Sequence, residues 1–204
     1  MKTPLFVLLL GLSLLGSGCA LTSKSEPLDV RYFTPEKVKT QLTAANDRSG
    51  QGEAITLELG RVSSGSHIRE KMAFRDASWE IGYYEDRRWT ERPEAFVRRE
   101  LGRTLFEERG FRRSVGAANA PTLEIELIAF EEIRAKPMHA ARVQLRMIIH
   151  DGRDVLHEET VTVDKPLPNG ETTTEALVAA TADALDAASS LVADRTQKIL
   201  ATRH

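Results

Sequence analysis

Histidines, an adjacent pair of glutamates and a single cysteine are the most reactive side chains that this 204-residue sequence offers. His150 and His157 flank Asp151-Gly152, a two-residue hairpin signal. Two imidazoles across a hairpin are one way to begin a metal site. Such a turn sets His150 against Arg153 and His157 against Arg146. The rings then share a face but stand about 14 Å apart at strand spacing, too far for one ion. Glu131-Glu132 has the composition of a general acid and base pair, but acids at a strand end are expected to be solvated. A lone cysteine excludes an intrachain disulfide and a cysteine-based zinc site. The sequence contains no Walker loop, Rossmann glycine pattern, Gly-x-Ser-x-Gly or His-Glu-x-x-His. These residues compose no catalytic set, so the expectation is a protein that is not an enzyme, with no metal and no cofactor.

Cys19 draws its meaning from what precedes it. Met1-Lys2 is a short basic start, and residues 5–15 are an apolar run broken by Gly11 and Ser13. Eleven helical residues rise about 16 Å, roughly half a bilayer's hydrocarbon thickness, so the run reads as a signal-peptide core and not a span. Gly16-Ser17-Gly18 and then Cys19 resemble the bacterial lipobox, with Gly16 where leucine is usual. That resemblance implies a diacylglyceryl thioether on Cys19, cleavage before it, and further acylation by a chain such as palmitate. The alternative is a plain secretory signal with an incidental cysteine. One acyl chain anchors weakly, and two or three hold essentially permanently. Ala20, in place of aspartate, points to the outer membrane, with the inner membrane as the alternative.

Residues 1–18 read as a signal peptide and 19–27 as a lipidated start and tether. Residues 28–204 form the folded domain. Period-two alternation predicts strands at 28–33, at Ile55, Leu57 and Leu59, at 72–74, and at 79–84. A polar stretch, 34–52, reads as loop with a short helix near 36–42. Thr90 as cap, Pro93 in the first turn, and a stripe of Phe96, Val97, Leu101, Leu105 and Phe106 predict a helix that Gly110 ends. A short strand at 111–115 is followed by an antiparallel meander over Leu123, Ile125 and Leu127, then 142–150 and 153–163. An Ala-rich helix over 171–200 closes the chain, with Leu177, Ala180, Ala184, Leu185, Ala188, Leu191, Val192 and Ile199 on its packing stripe. The fold class is therefore α/β in the mixed α+β sense. A single domain has a mixed, largely antiparallel sheet packed by an amphipathic central helix and a long C-terminal helix.

The composition agrees with a globular domain. With 28 Lys+Arg against 30 Asp+Glu and 41% hydrophobic residues, the chain is neither disordered nor a bulk-charge nucleic-acid binder. Arg87-Arg88 and Arg98-Arg99 are local positive spots, read as surface, with acidic headgroups as the functional alternative.

Tyr32 in a first strand, a basic-aromatic segment over 68–75, and Tyr83-Tyr84-Glu85-Asp86-Arg87-Arg88-Trp89-Thr90-Glu91-Arg92-Pro93 before an amphipathic helix resemble the ABC-type transport auxiliary lipoprotein family. Ser66-His67-Ile68 stands where that family often has Pro-x-x-Leu. The resemblance implies a non-catalytic, outer-membrane-anchored periplasmic accessory of an MCE-domain, ABC-driven lipid-transport system of the Pqi type. Its partners would be an MCE-domain protein and an ABC permease and ATPase, with no nucleic acid. Tyr83, Tyr84, Arg88 and Trp89 are either core or an interface with a partner or a neighbouring subunit, the latter making a homo-oligomer. An envelope assembly lipoprotein with no transporter partner is the competing class.

Overall fold

The computed structural model describes residues 27–36, 54–77, 79–116, 120–135, 138–152, 154–168 and 171–202. The signal peptide, Cys19, the tether to residue 26 and the predicted helix near 36–42 lie outside or mostly outside them. The strands are β1 (Arg31–Phe33), β2 (Thr56–Ser64), β3 (Lys71–Ala77), β4 (Glu80–Trp89), β5 (Arg112–Arg113), β6 (Thr122–Ile133), β7 (Ala140–His150) and β8 (Val155–Pro166). The helices are α1 (Pro93–Arg103) and α2 (Thr174–Ala201).

All the strands join one mixed sheet. Its longest ladders, β6–β7 and β7–β8, are antiparallel, as is the β3–β4 hairpin. The ladders β1–β4, β2–β5, β2–β6 and β3–β6 are parallel. One edge of β6 is shared. Its first half pairs with β2 and its last three residues with β3, both running the same way.

Both helices cover the same face of this sheet, α2 over β7 and β8 and α1 over β2. The alternation of β7 shows why. Ala141, Val143, Leu145, Met147 and Ile149 are buried, while Arg142, Gln144, Arg146 and Ile148 turn to the other face. Leu57, Leu123, Ile125 and Leu127 join them from β2 and β6, and Phe96, Leu101, Leu105, Leu185 and Val192 close the core from the helices. The opposite face is polar and cross-linked by ion pairs, such as Arg146 with Glu126 and Glu158. By length and composition α2 is apolar enough to cross a membrane, but it packs on the sheet, as the small-residue stripe predicts.

Several local readings change. Thr90 does not cap α1. Its N–H donates to the Phe33 carbonyl at 2.9 Å, and the cap position is Arg92, extended and with no side-chain cap bond. Pro93 carries no N–H to be capped, and Glu94 supplies the negative charge in the first turn. Past Arg103 the helix widens into a π turn over Thr104–Glu108, closed by Arg109 N–H to Thr104 O at 2.9 Å. Gly110 then takes φ 74°, which ends the helical segment as its residue type predicts. Leu191 is exposed, standing at the margin of the stripe centred on Leu185 and Val192.

The β7–β8 turn also departs from the two-residue expectation. Asp151 N–H bonds Asp154 O at 3.2 Å, Gly152 has φ 90°, and the ladder pairs Ile149 with His157 and His150 with Val155. Arg146 therefore faces Thr160 and not His157. His150 lies near Glu124 on the open face. His157 bonds Glu159, which also meets Arg195 of α2 on the helical face. The two imidazoles occupy opposite faces, a firmer separation than distance along one face.

Candidate functional site

A cluster of interacting polar and aromatic side chains sits where β3, β4 and the end of β6 meet. Phe74 and Glu132 are register partners in the parallel β3–β6 ladder, and Glu132 pairs in turn with the core residue Ala141. Opposite Phe74 on β4 is Gly82. A Cβ there would come within 2.3 Å of Phe74 Cζ, so the ring lies against bare backbone. Two residues on, Tyr84 meets Phe74 edge to face with centroids 5.2 Å apart. The Arg134 guanidinium lies 3.6 Å from the Phe74 centroid and 4.7 Å from that of Tyr84, and Arg87 covers Tyr84 at 3.9 Å.

Glu132 lies beside this stack and is 3% exposed. The Tyr84 hydroxyl donates to it at 2.5 Å and Arg134 Nε at 3.2 Å, and His139 Nε2 bonds its other oxygen. A carboxylate so buried is tolerable only with such a set of partners. Arg134 and His139 come from the two ends of the β6–β7 connection and Tyr84 from β4, so Glu132 ties three segments together. Burial pushes the Tyr84 phenol above its ordinary range, helped by the bond to Glu132 and opposed by Arg134. For Arg134, burial pulls downward, but Tyr84 and Glu132 outweigh it and raise the guanidinium further.

Glu131, one residue earlier, is 6% exposed and faces the other side of the sheet. Arg75 grips it through Nε at 2.8 Å and Nη2 at 3.1 Å. Its partner across the β6–β7 ladder is Arg142, which holds Asp164 through two bonds of 2.7 Å. The bond to Asp164 raises Arg142 further, with Glu131 adding to it. The expectation that Glu131 and Glu132 are solvated is therefore wrong. The sequence carries a partial signal, because Ala129, Phe130 and Ile133 bracket the acids with apolar residues. A register shift between Leu127 and Ala129 then buries side chains on both faces of the strand end.

Two neighbouring carboxylates on opposite faces, each held by cations, cannot act together on one substrate. The arrangement clamps the β3–β4 hairpin to the meander. Among the described residues no group of three or more His, Cys, Asp or Glu gathers to hold a metal ion.

The interface candidates separate into distinct environments. Trp89 is 3% exposed and packs edge to face on Phe130 at 5.2 Å and Phe96 at 6.3 Å, with its Nε1 unpartnered. Tyr84 belongs to the Glu132 clamp. Tyr83 is half-buried and its hydroxyl donates to His67 O at 2.9 Å. Arg88, also half-buried, donates to the carbonyls of Tyr84 and Arg87 at 3.0 Å each, beside exposed Tyr32 of β1. Of the four, Tyr83 and Arg88 remain the ones placed toward the open face. Cys19 lies outside the described residues.

The model of one family, described as the ABC-type transport auxiliary lipoprotein component, matches residues 39–193. No curated protein matches the chain. Among solved structures, a Xanthomonas campestris protein is 18% identical with a TM-score of 0.64, covering 72% of this chain and 86% of its own. An uncharacterized protein is 9% identical with a TM-score of 0.59, covering 71% of this chain and 94% of its own. A hypothetical protein of Chlamydia trachomatis is 9% identical with a TM-score of 0.52, over 72% of this chain and 98% of that one. At these identities the structural likeness speaks for the fold.

Proposed function

The chain belongs to the ABC-type transport auxiliary lipoprotein family, and from that premise we propose that it is a lipid-anchored, non-catalytic accessory of an envelope transport system. The match over residues 39–193 carries this reading. In it, residues 1–18 are removed, Cys19 bears the acyl chains, and the following residues tether a domain that faces the periplasm from the outer membrane. An MCE-domain protein, with an ABC permease and ATPase in the inner membrane, moves lipid or another hydrophobic molecule. The lipoprotein docks that assembly at the outer membrane. Tyr83 and Arg88, on the open side of β4, are the proposed contact residues for a partner or a second copy.

The Glu132 carboxylate is taken up by Tyr84, Arg134 and His139, which supports a structural role for the clamp over a catalytic one. The test is a pull-down of the lipidated protein from gently crosslinked membranes, with partners identified by mass spectrometry. An MCE-domain protein with ABC subunits is the expected result. Outer-membrane assembly proteins in their place would overturn the transport reading in favour of an envelope assembly lipoprotein.

A further inference from the structure

Trp79 stands in the turn between β3 and β4 and is 95% exposed, while the other tryptophan of the chain, Trp89, is buried. Folding has left the largest apolar side chain of the molecule in water at the tip of a hairpin. An indole suits the membrane–water boundary, where its ring enters an apolar layer and its N–H stays hydrated.

The register of β1 gives this tip a direction. β1 runs parallel to β4 with Arg31 opposite Arg87, so the chain before Arg31 departs toward the Glu80 end of β4, where Trp79 lies. From Lys71, opposite Arg88, to Ala77, opposite Glu80, β3 covers about 20 Å at strand spacing. The segment from Cys19 to Arg31 can extend to about 40 Å, so the tether reaches the level of Trp79 with length to spare. The β6–β7 connection ends on the same side. Arg134 N–H donates to Arg75 O at 2.9 Å there, and Met138 within that connection is 39% exposed.

Charge near the tip is largely balanced. Among the described residues of the tip and the β6–β7 connection, Asp76 pairs with Arg134 at 3.6 Å and Arg75 with Glu131, leaving exposed Glu80. The apolar side chains fit a zwitterionic lipid surface, where an indole enters the interface without an anionic headgroup to attract it.

We propose that the β3–β4 tip is a membrane-contact element: Trp79, with Met138 at the same end, enters the interface of the bilayer that holds Cys19. This rests on the reading of Cys19 as the anchored residue. The domain then stands with its β3–β4 tip down, held by acyl chains and by side chains together.

The test uses the chain from Cys19 onward, which contains every described residue and one thiol. That thiol is coupled to a maleimide lipid in phosphatidylcholine vesicles, with brominated or ordinary acyl chains. The expected result is loss of the Trp79 share of the emission to the brominated chains and a blue shift of its maximum. Trp79→Ala should show neither while keeping the wild-type Tm. Emission that is equal in both lipids, and still quenched by iodide in the water phase, would overturn the proposal. So would shielding of Trp79 that appears only on adding envelope proteins or raising the surface density, which would assign the tip to a protein partner or a second copy. Coupling through maleimide replaces the natural lipid, so this result stands apart from the anchor reading. That reading is tested by the acyl mass on the protein extracted from cells and its loss in Cys19→Ser.

Discussion

The two halves of β6 solve the same problem in opposite ways. From Thr122 to Leu127 the strand alternates, with Leu123, Ile125 and Leu127 in the core and Glu124 and Glu126 on the wetter face. After the register shift before Ala129, the five residues to Ile133 are all buried, and two of them are acids. The first half is stabilised by apolar area, of order 25 cal/mol for each Å² removed from water. The second is held by donors matched to charge. Apolar packing tolerates approximate shapes, whereas a buried carboxylate depends on each partner being present. The difference teaches where this fold can vary: the first half by size, the second only by keeping its network whole.

The comparison can be sharpened by substitution. Glu132→Ala leaves Arg134, His139 and the Tyr84 hydroxyl without their acceptor, and a loss of about 3–5 kcal/mol is expected in chemical denaturation. Leu123→Ala in the first half should cost about 2–5 kcal/mol through its cavity. The telling contrast is with apolar replacements of similar volume. Leu123→Met should cost under about 1.5 kcal/mol, whereas Glu132→Leu should stay strongly destabilising. If Glu132→Leu were neutral, the distinction between the halves would collapse.

Gly82→Ala forces the Phe74 ring off the β4 backbone while Tyr84 and Arg134 hold it from other sides. A cost of about 1–3 kcal/mol is expected in thermal or denaturant melts. Tyr84→Phe removes one bond to the buried acid, at about 1–2 kcal/mol at neutral pH. It also carries a pH signature. The folded chain holds the Tyr84 proton more tightly than the unfolded chain, whose phenol titrates near its ordinary 10.0. Between that value and the higher folded one the unfolded state binds fewer protons, so stability falls as pH rises. The wild type should show that alkaline slope and a late phenolate absorbance step, and Tyr84→Phe neither. Trp79→Ala, at the far end of the hairpin, should change stability by less than about 0.5 kcal/mol.

Much of the first half could be read directly. Alternation in Leu123–Leu127 and in β7, the left-handed glycine at Gly110 and the small-residue stripe of α2 are local patterns with local causes. The second half had no local cause to read. Its register shift changes which face each later residue takes, and the partners of Glu132 come from positions 84, 134 and 139, joined only by the sheet. The β7–β8 turn failed for a related reason. Asp151-Gly152 signals a turn correctly, but His150 pairs with Val155 in place of Arg153, and a bulge before His157 shifts the register by one residue more, which turns His157 to the helical face. Trp89 could be read as core, the usual place for a strand aromatic, or as contact, since an aromatic in a strand before a helix has the same sequence appearance in both. Thr90 looked like a cap because its side chain suits one, while its backbone was already committed to β1.

β1 meets β4 over only three residues, parallel and in register, and Arg31 is pinned across to Glu175 of α2. A pull on the chain before Arg31, directed toward the Trp79 end, runs along the strand axis. Its bonds to β4 are then loaded together in shear, not peeled one at a time. Three residues so arranged bear more force than the same three unzipped. The short edge strand is thus suited to act as a mechanical stop, passing tension from the anchored end into the whole sheet before any part of the domain unravels.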